Sequence, residues 1–150
     1  MDLILWRHAE AVDDTPDHDR KLTAKGVKQA EKIAAFLRQH LPEHHRILVS
    51  PATRTQQTAS ALTDHFTLVP AIAPGASAQA VLRAAQWPDA GDTVLLVGHQ
   101  PTLGEVAAQL LGSNDYSLSI KKGALWWFTS REREGSAQIT LRLAITPDFL

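Results

Sequence analysis

The stretch Leu3-Ile4-Leu5-Trp6-Arg7-His8 decides the fold of this chain. Four apolar residues in unbroken succession suit a short strand covered on both faces, and such strands belong to parallel sheets flanked by helices. The run stops on a permanent cation and an imidazole. Two more apolar runs stop on matching chemistry. Ile47-Leu48-Val49 leads into Ser50-Pro51 and then Arg54, and Val94-Leu95-Leu96-Val97 leads into Gly98-His99. In a parallel sheet the carboxyl ends of the strands share one edge, where ligands bind. Arg7, His8, Arg54 and His99 are therefore expected to meet there, two cations and two imidazoles around one point.

The intervening segments read as helices. From about Thr23 the residues Val27, Ala30, Ile33, Ala34, Leu37 and Leu41 recur on one helical face, and Pro42 marks its end. Ser50 and Pro51 read as the N-cap and first residue of a helix reaching about Asp64. Phe66–Val69 reads as a third strand, followed by a loop over 70–76 and a short helix capped by Ser77. Thr93–Val97 is the fourth strand. Thr102 and Glu105 have capping-box spacing at the start of a helix closed by Gly112. The pattern then switches to alternation. Leu125-Trp126-Trp127-Phe128 and the series Ile139, Leu141, Leu143, Ile145 flank the polar turn Arg131–Ser136, which predicts an antiparallel hairpin at the sheet edge. Of Trp126 and Trp127, one is expected in the core and the other more exposed. The predicted fold is α/β: three layers, α/β/α, with a mainly parallel central sheet and a C-terminal antiparallel hairpin, in a single domain over residues 1–150.

Composition narrows the function. Cysteine is absent, which excludes disulfides, thiolate metal sites and a cysteine nucleophile. Fifteen basic residues against sixteen acidic ones predict neither a nucleic-acid partner nor a membrane-binding basic face. The apolar N-terminal run is too short for a signal segment, and no stretch approaches the roughly 20 residues of a membrane span, so a cytoplasmic protein is expected. His40, His44 and His45 surround a helix end, where imidazoles suit the dipole. No metal and no other cofactor is expected.

The strand-end residues suit a phosphoryl group. Guanidinium groups grip pairs of anionic oxygens and keep their charge at neutral pH. Arg54, early in its helix, adds the positive end of the helix dipole. A neutral His8 supplies an in-line nucleophile once its second nitrogen is held by a backbone carbonyl. His99 then serves as a donor to a phosphoryl oxygen. Neither arginine is expected in the core.

Three segments carry a family resemblance: Leu5-Trp6-Arg7-His8-Ala9-Glu10, the run Ser50–Ala59, and Val97-Gly98-His99-Gln100-Pro101, together with Leu22-Thr23-Ala24-Lys25-Gly26. They resemble, in order, the histidine phosphatase (phosphoglycerate mutase-like) superfamily. The chain's size and Asp19-Arg20-Lys21-Leu22-Thr23 look most like the small SixA-type phosphohistidine phosphatases. The resemblance implies that His8 is the phosphorylated nucleophile and that Arg7, Arg54 and His99 form the phosphate pocket. Ala9 stands where the wider family usually has Gly. Larger members place an acidic proton donor after the third strand, yet Pro70–Trp87 here holds no Asp or Glu.

That gap bears on substrate. An alkoxide leaving group benefits from a positioned acid, whereas the imidazole of a phosphohistidine leaves neutral once its ring is protonated. Candidate acids remain in the loop after the first strand: Glu10, Asp13, Asp14, Asp17 and Asp19, with Asp19 favoured and Arg20 as a third cation. The expected activity is metal-independent phosphoryl hydrolysis through a covalent phosphohistidine. The expected partner is a phosphohistidine protein or a small phosphorylated metabolite. The alternatives are a broad small-molecule phosphomonoesterase and a phosphate- or phosphoprotein-binding module without turnover; the presence of His8 speaks against the second.

Overall fold

Leu3 and Leu5 of the first strand pack into one hydrophobic cluster while Ile4 and Trp6 pack into another, on opposite faces of a six-stranded sheet. The computed structural model describes residues 1–150. Its strands are β1 (Asp2–Arg7), β2 (His45–Val49), β3 (Thr67–Leu68), β4 (Thr93–Gly98), β5 (Leu125–Arg133) and β6 (Ser136–Ile145). The helices are α1 (Ala24–His40), α2 (Thr53–Ser60), α3 (Ala78–Ala85) and α4 (Thr102–Leu110). The sheet order is β3-β2-β4-β1-β5-β6. The first four strands in that order run parallel, and β5 and β6 are antiparallel.

Ala30, Ile33, Ala34 and Leu37 of α1 cover the face bearing Ile4, Trp6, Val49 and Val97. Val81 and Ala85 of α3 with Leu103 and Val106 of α4 cover the other. Three layers result, as the unbroken apolar runs predict. Every residue of β4 is buried because helices lie above and below it. No helix is long and apolar enough to cross a membrane.

Register sets the site. In the parallel pairs Arg7 lies opposite Gly98 and Val49 opposite Val97. His8, Ser50 and His99 therefore leave the sheet side by side. The ladder continues one step past the strands, with the His8 amide donating to the Gly98 carbonyl and the Ser50 amide to the Val97 carbonyl, both at 3.1 Å.

Several local expectations are corrected. The third strand shrinks to Thr67–Leu68, a short edge strand. Helix α2 starts at Thr53, not Ser50, and its cap position is Ala52 with no side-chain cap. Thr102 is the first residue of α4 rather than its cap, and its hydroxyl donates to the Ala76 carbonyl at 2.6 Å. The hairpin strands extend into the predicted turn, leaving Glu134-Gly135 with φ of 52° and 80°. Positive φ at both positions matches the twist of a two-residue hairpin. The tryptophans follow expectation, with Trp127 buried in the core and Trp126 more exposed, each packed against the cluster on its own face of the sheet.

The start of α1 is pinned beside the site. Thr23 caps it, accepting from the Gly26 amide at 2.9 Å. A Cβ at Gly26 would lie 2.0 Å from the Glu10 carbonyl oxygen. Only glycine lets the helix approach the segment leaving β1 so closely.

Candidate active site

His8 is buried at the end of β1. Its Nδ1 lies 2.8 Å from the Ala9 carbonyl oxygen, an acceptor only, so Nδ1 carries the proton and Nε2 keeps a free lone pair. The Ala9 amide donates to the Thr58 hydroxyl at 3.0 Å, and that hydroxyl donates to the Arg54 carbonyl at 2.7 Å. Helix α2 thereby holds both the residue that follows His8 and Arg54. Ala9 itself is fully buried.

Arg54, at the second position of α2, is only 4 % exposed. This corrects the expectation that neither arginine is core: Arg54 is buried and Arg7 is half-buried. Arg7 donates to the Ile120 carbonyl at 2.9 Å through Nη1. The segment around Ile120 is tied to the end of β1 by further bonds. The Gly123 amide donates to the His8 carbonyl at 3.0 Å, and the Arg7 amide donates to the Ala124 carbonyl at 3.1 Å. Nε of Arg7 and Nε of Arg54 are both buried without a protein partner. Burial, followed by the Arg54 charge, lowers the pKa of Arg7. Two guanidinium groups held together with unused donors suit an incoming anion.

The His99 ring lies 5.3 Å from the His8 ring, centroid to centroid. Its Nε2 lies 2.7 Å from the Ser50 hydroxyl, while Nδ1 is buried and unpartnered. Ser50 is the residue that sequence reasoning missed, because its position before proline mimics a helix cap. Its hydroxyl serves the second histidine instead, which is why α2 begins uncapped. Another missed contributor is the Ile120 carbonyl, which lies in a segment without periodicity. Thr58 carried a faint signal: a short helix rich in threonine is poor in helix propensity and so is built for its hydroxyls.

Both imidazoles are held neutral. Burial first, then the Arg54 and Arg7 charges, pushes the pKa of His8 down to about 4 against the opposing pull of the Ala9 bond. Burial, then His8 and Arg54, pushes His99 down to about 3. In a nitrogen-edited NMR titration both rings are expected to stay neutral at about pH 5, where an ordinary imidazole of pKa ~6.5 is protonated. Protonation near the ordinary value would show that neither ring is desolvated. An unfolded chain binds these protons from about pH 6.5 downward, while the folded one waits until about 4 and 3. The folded state thus loses stability as pH falls through that window.

The acidic loop is placed differently from expectation. Asp19 is exposed and pairs with His18 at 3.4 Å, with no ion pair to an arginine. Asp17 takes the inward position. Its carboxylate accepts from Arg54 Nη2 and from Arg20 Nη1, each at 3.2 Å, and its carbonyl accepts from Arg54 Nη1 at 2.9 Å. Burial raises the pKa of Asp17, but the Arg20 bond and the Arg54 charge outweigh it and lower the net value. A carboxyl held ionised is a poor proton donor. Glu10 accepts from the Thr23 hydroxyl at 2.8 Å, supporting the start of α1. Arg20 also donates to the Val12 carbonyl at 2.7 Å and braces this loop. Away from the site, His45 Nδ1 meets the Pro42 carbonyl and His40 lies against Phe36.

An α/β sheet whose carboxyl edge gathers two neutral histidines, Arg7 from β1 and Arg54 from α2 has the make-up of a phosphoryl-handling enzyme. The sequence profile of the histidine phosphatase superfamily (branch 1) matches residues 3–76. The SixA homolog of Haemophilus influenzae, described as a phosphohistidine phosphatase, is 34% identical over 77% of this chain and 80% of its own. An uncharacterised Picosynechococcus protein is 35% identical over 93% of this chain and 88% of its own. Among solved structures, the protein histidine phosphatase SixA in complex with tungstate superposes with a TM-score of 0.80. It is 23% identical, and the match covers 99% of both chains. The chain belongs to the histidine phosphatase superfamily and is SixA-like within it. It is a phosphatase whose chemistry runs through a histidine.

Proposed function

We propose that the chain, acting as one domain, is a metal-independent protein phosphohistidine phosphatase with His8 as its nucleophile. In the first step Nε2 of His8 attacks phosphorus, a new N–P bond forms, and the bond to the substrate imidazole breaks. That imidazole, protonated on its other ring nitrogen, leaves neutral. Water then cleaves the phosphohistidine on His8, releasing inorganic phosphate and restoring the neutral ring. The Ala9 carbonyl steadies Nδ1–H as positive charge builds on His8. Arg7 and Arg54 take the equatorial oxygens, in place of a divalent cation.

Ser50 acts through His99. In this reading the Ser50 hydroxyl, 2.7 Å from His99 Nε2, donates its proton to that nitrogen. The His99 proton then sits on Nδ1, free to donate to a phosphoryl oxygen.

One observation carries the choice of substrate: no carboxyl beside the phosphate pocket is set up to donate a proton. Pro70–Trp87 has none. Asp17 is held ionised between two arginines, and Asp19 and Glu10 are engaged elsewhere. Leaving groups that require enzymic protonation are therefore disfavoured.

A turnover panel tests this, with and without EDTA. A phosphohistidine peptide should give the highest kcat/KM, p-nitrophenyl phosphate an intermediate value and a sugar phosphate the lowest. EDTA should change none of them, and Asp19→Asn should leave the order intact. A sugar phosphate hydrolysed as efficiently as the phosphohistidine peptide would favour the small-molecule phosphomonoesterase instead. Tungstate binding without any turnover would favour a phosphate-binding module.

A further inference from the structure

A cleft of about 870 Å³ opens beside the phosphate pocket and shares Arg7 with it. Lys25, Lys28, Lys32, Lys121 and Lys122 supply the rest of its positive charge. The chain has six lysines, and five of them line this one cleft. All five are exposed, and no lysine of the chain lies within 4.0 Å of a carboxylate. Only Glu10 and Asp148 oppose them, so six cations against two acids leave a formal charge of +4 in a chain whose net charge is −1.

The placement works against local stability. The start of a helix carries partial positive charge and favours acids. Helix α1 has no acid in its first turn and puts Lys25 there. Lys28 and Lys32 follow on the same face, spacing charge over about 10 Å of helix. Charge that breaks a local rule without a folding partner marks a binding function.

We infer that this cleft docks an acidic segment of the phosphoprotein, seating carboxylates that flank the phosphorylated histidine; the inference rests on the reading of the substrate as a protein. The lining favours such a segment over a small molecule. Apart from Pro147 its lining side chains are all charged or polar, whereas small-molecule pockets are lined mainly by apolar side chains. Lysines are flexible point charges rather than planar forks, suited to a spread of carboxylates rather than to one tightly gripped phosphate. With Arg7 common to both sites, a phosphoryl group on His8 and carboxylates in the cleft are served by one continuous positive field, which also speeds encounter.

Two synthetic phosphohistidine peptides test the inference, one with glutamate on both flanks and one with glutamine at the same positions. The wild type should prefer the glutamate peptide by about tenfold in kcat/KM at low salt, mainly through KM. The preference should fade at about 0.5 M NaCl, where screening is nearly complete. The triple variant Lys28→Glu, Lys32→Glu, Lys122→Glu should reverse the preference. Equal turnover of both peptides by the wild type would overturn the docking site while leaving the phosphatase reading intact. Should neither peptide be hydrolysed, the phosphatase reading fails, and fluorescence anisotropy with the unphosphorylated glutamate peptide decides the cleft. Salt-sensitive binding lost in the triple variant supports it, and no binding overturns it. Tighter binding of inorganic tripolyphosphate or of phosphatidylserine vesicles than of the glutamate peptide would also overturn it, assigning the cleft to a small polyanion or a membrane surface.

Discussion

His8→Ala is expected to lower turnover of a phosphohistidine peptide by at least about 10⁴-fold, the scale on which a covalent nucleophile is lost. The residual rate would come from the anion pocket alone. In the wild type, acid-labile phosphate trapped during turnover should map to the peptide containing His8. Two features support that residue over His99. His8 has its Nδ1 engaged by a backbone carbonyl and its Nε2 free, whereas His99 has its Nε2 engaged by Ser50. A pKa of about 4 keeps the His8 lone pair available at any physiological pH. Phosphate found on another residue, or full turnover by His8→Ala, would refute the assignment.

Arg54→Ala is expected to cost at least about 10²-fold in kcat/KM, the typical effect of losing one donor to developing transition-state charge. Tungstate affinity should fall with it. The burial of Arg54 sharpens this experiment. A buried cation facing a second cation, with its Nε unpartnered, is unfavourable for the unliganded fold. Its removal should leave the melting temperature unchanged or raise it, even though the bonds to Asp17 are lost, because Asp17 is itself largely exposed and its pairing is screened. Activity and stability moving apart is the signature of a functional charge. A loss of activity in step with a loss of stability would make Arg54 structural. Arg7→Ala should behave alike for catalysis, but it also releases the Ile120 carbonyl and so loosens the segment carrying Lys121 and Lys122.

Asp17 illustrates the limit of reading chemistry from a loop. Five acids stood as candidates after β1, and position in the family pattern favoured Asp19. The tight turn at residues 17–19 gives the inward direction to Asp17, and its pairing with Arg20 and Arg54 keeps it ionised. Polar loops have no periodicity, so which of several neighbouring carboxylates faces a site is not encoded in spacing.

The strands were legible because burial on both faces demands unbroken apolar residues, and β1, β2 and β4 are such runs. Helix α1 was legible for the same reason: one apolar face repeats for the length of a helix packed on a sheet, and Thr23 caps it as its position suggests. Since parallel strands end at a common edge, these runs alone determined that Arg7, His8, Arg54 and His99 would converge. What they could not determine was anything set by contacts between segments far apart in sequence. The Ser50 hydroxyl became a partner of His99 rather than a helix cap only because the β2–β4 register brings the two strand exits level. The lysine cleft is the clearest case. A net charge of −1 hides it, because lysines at 25–32 and at 121–122 meet only when the segment after α4 is stitched to the end of β1. Composition averages charge over the chain, and only tertiary structure gathers it on one face.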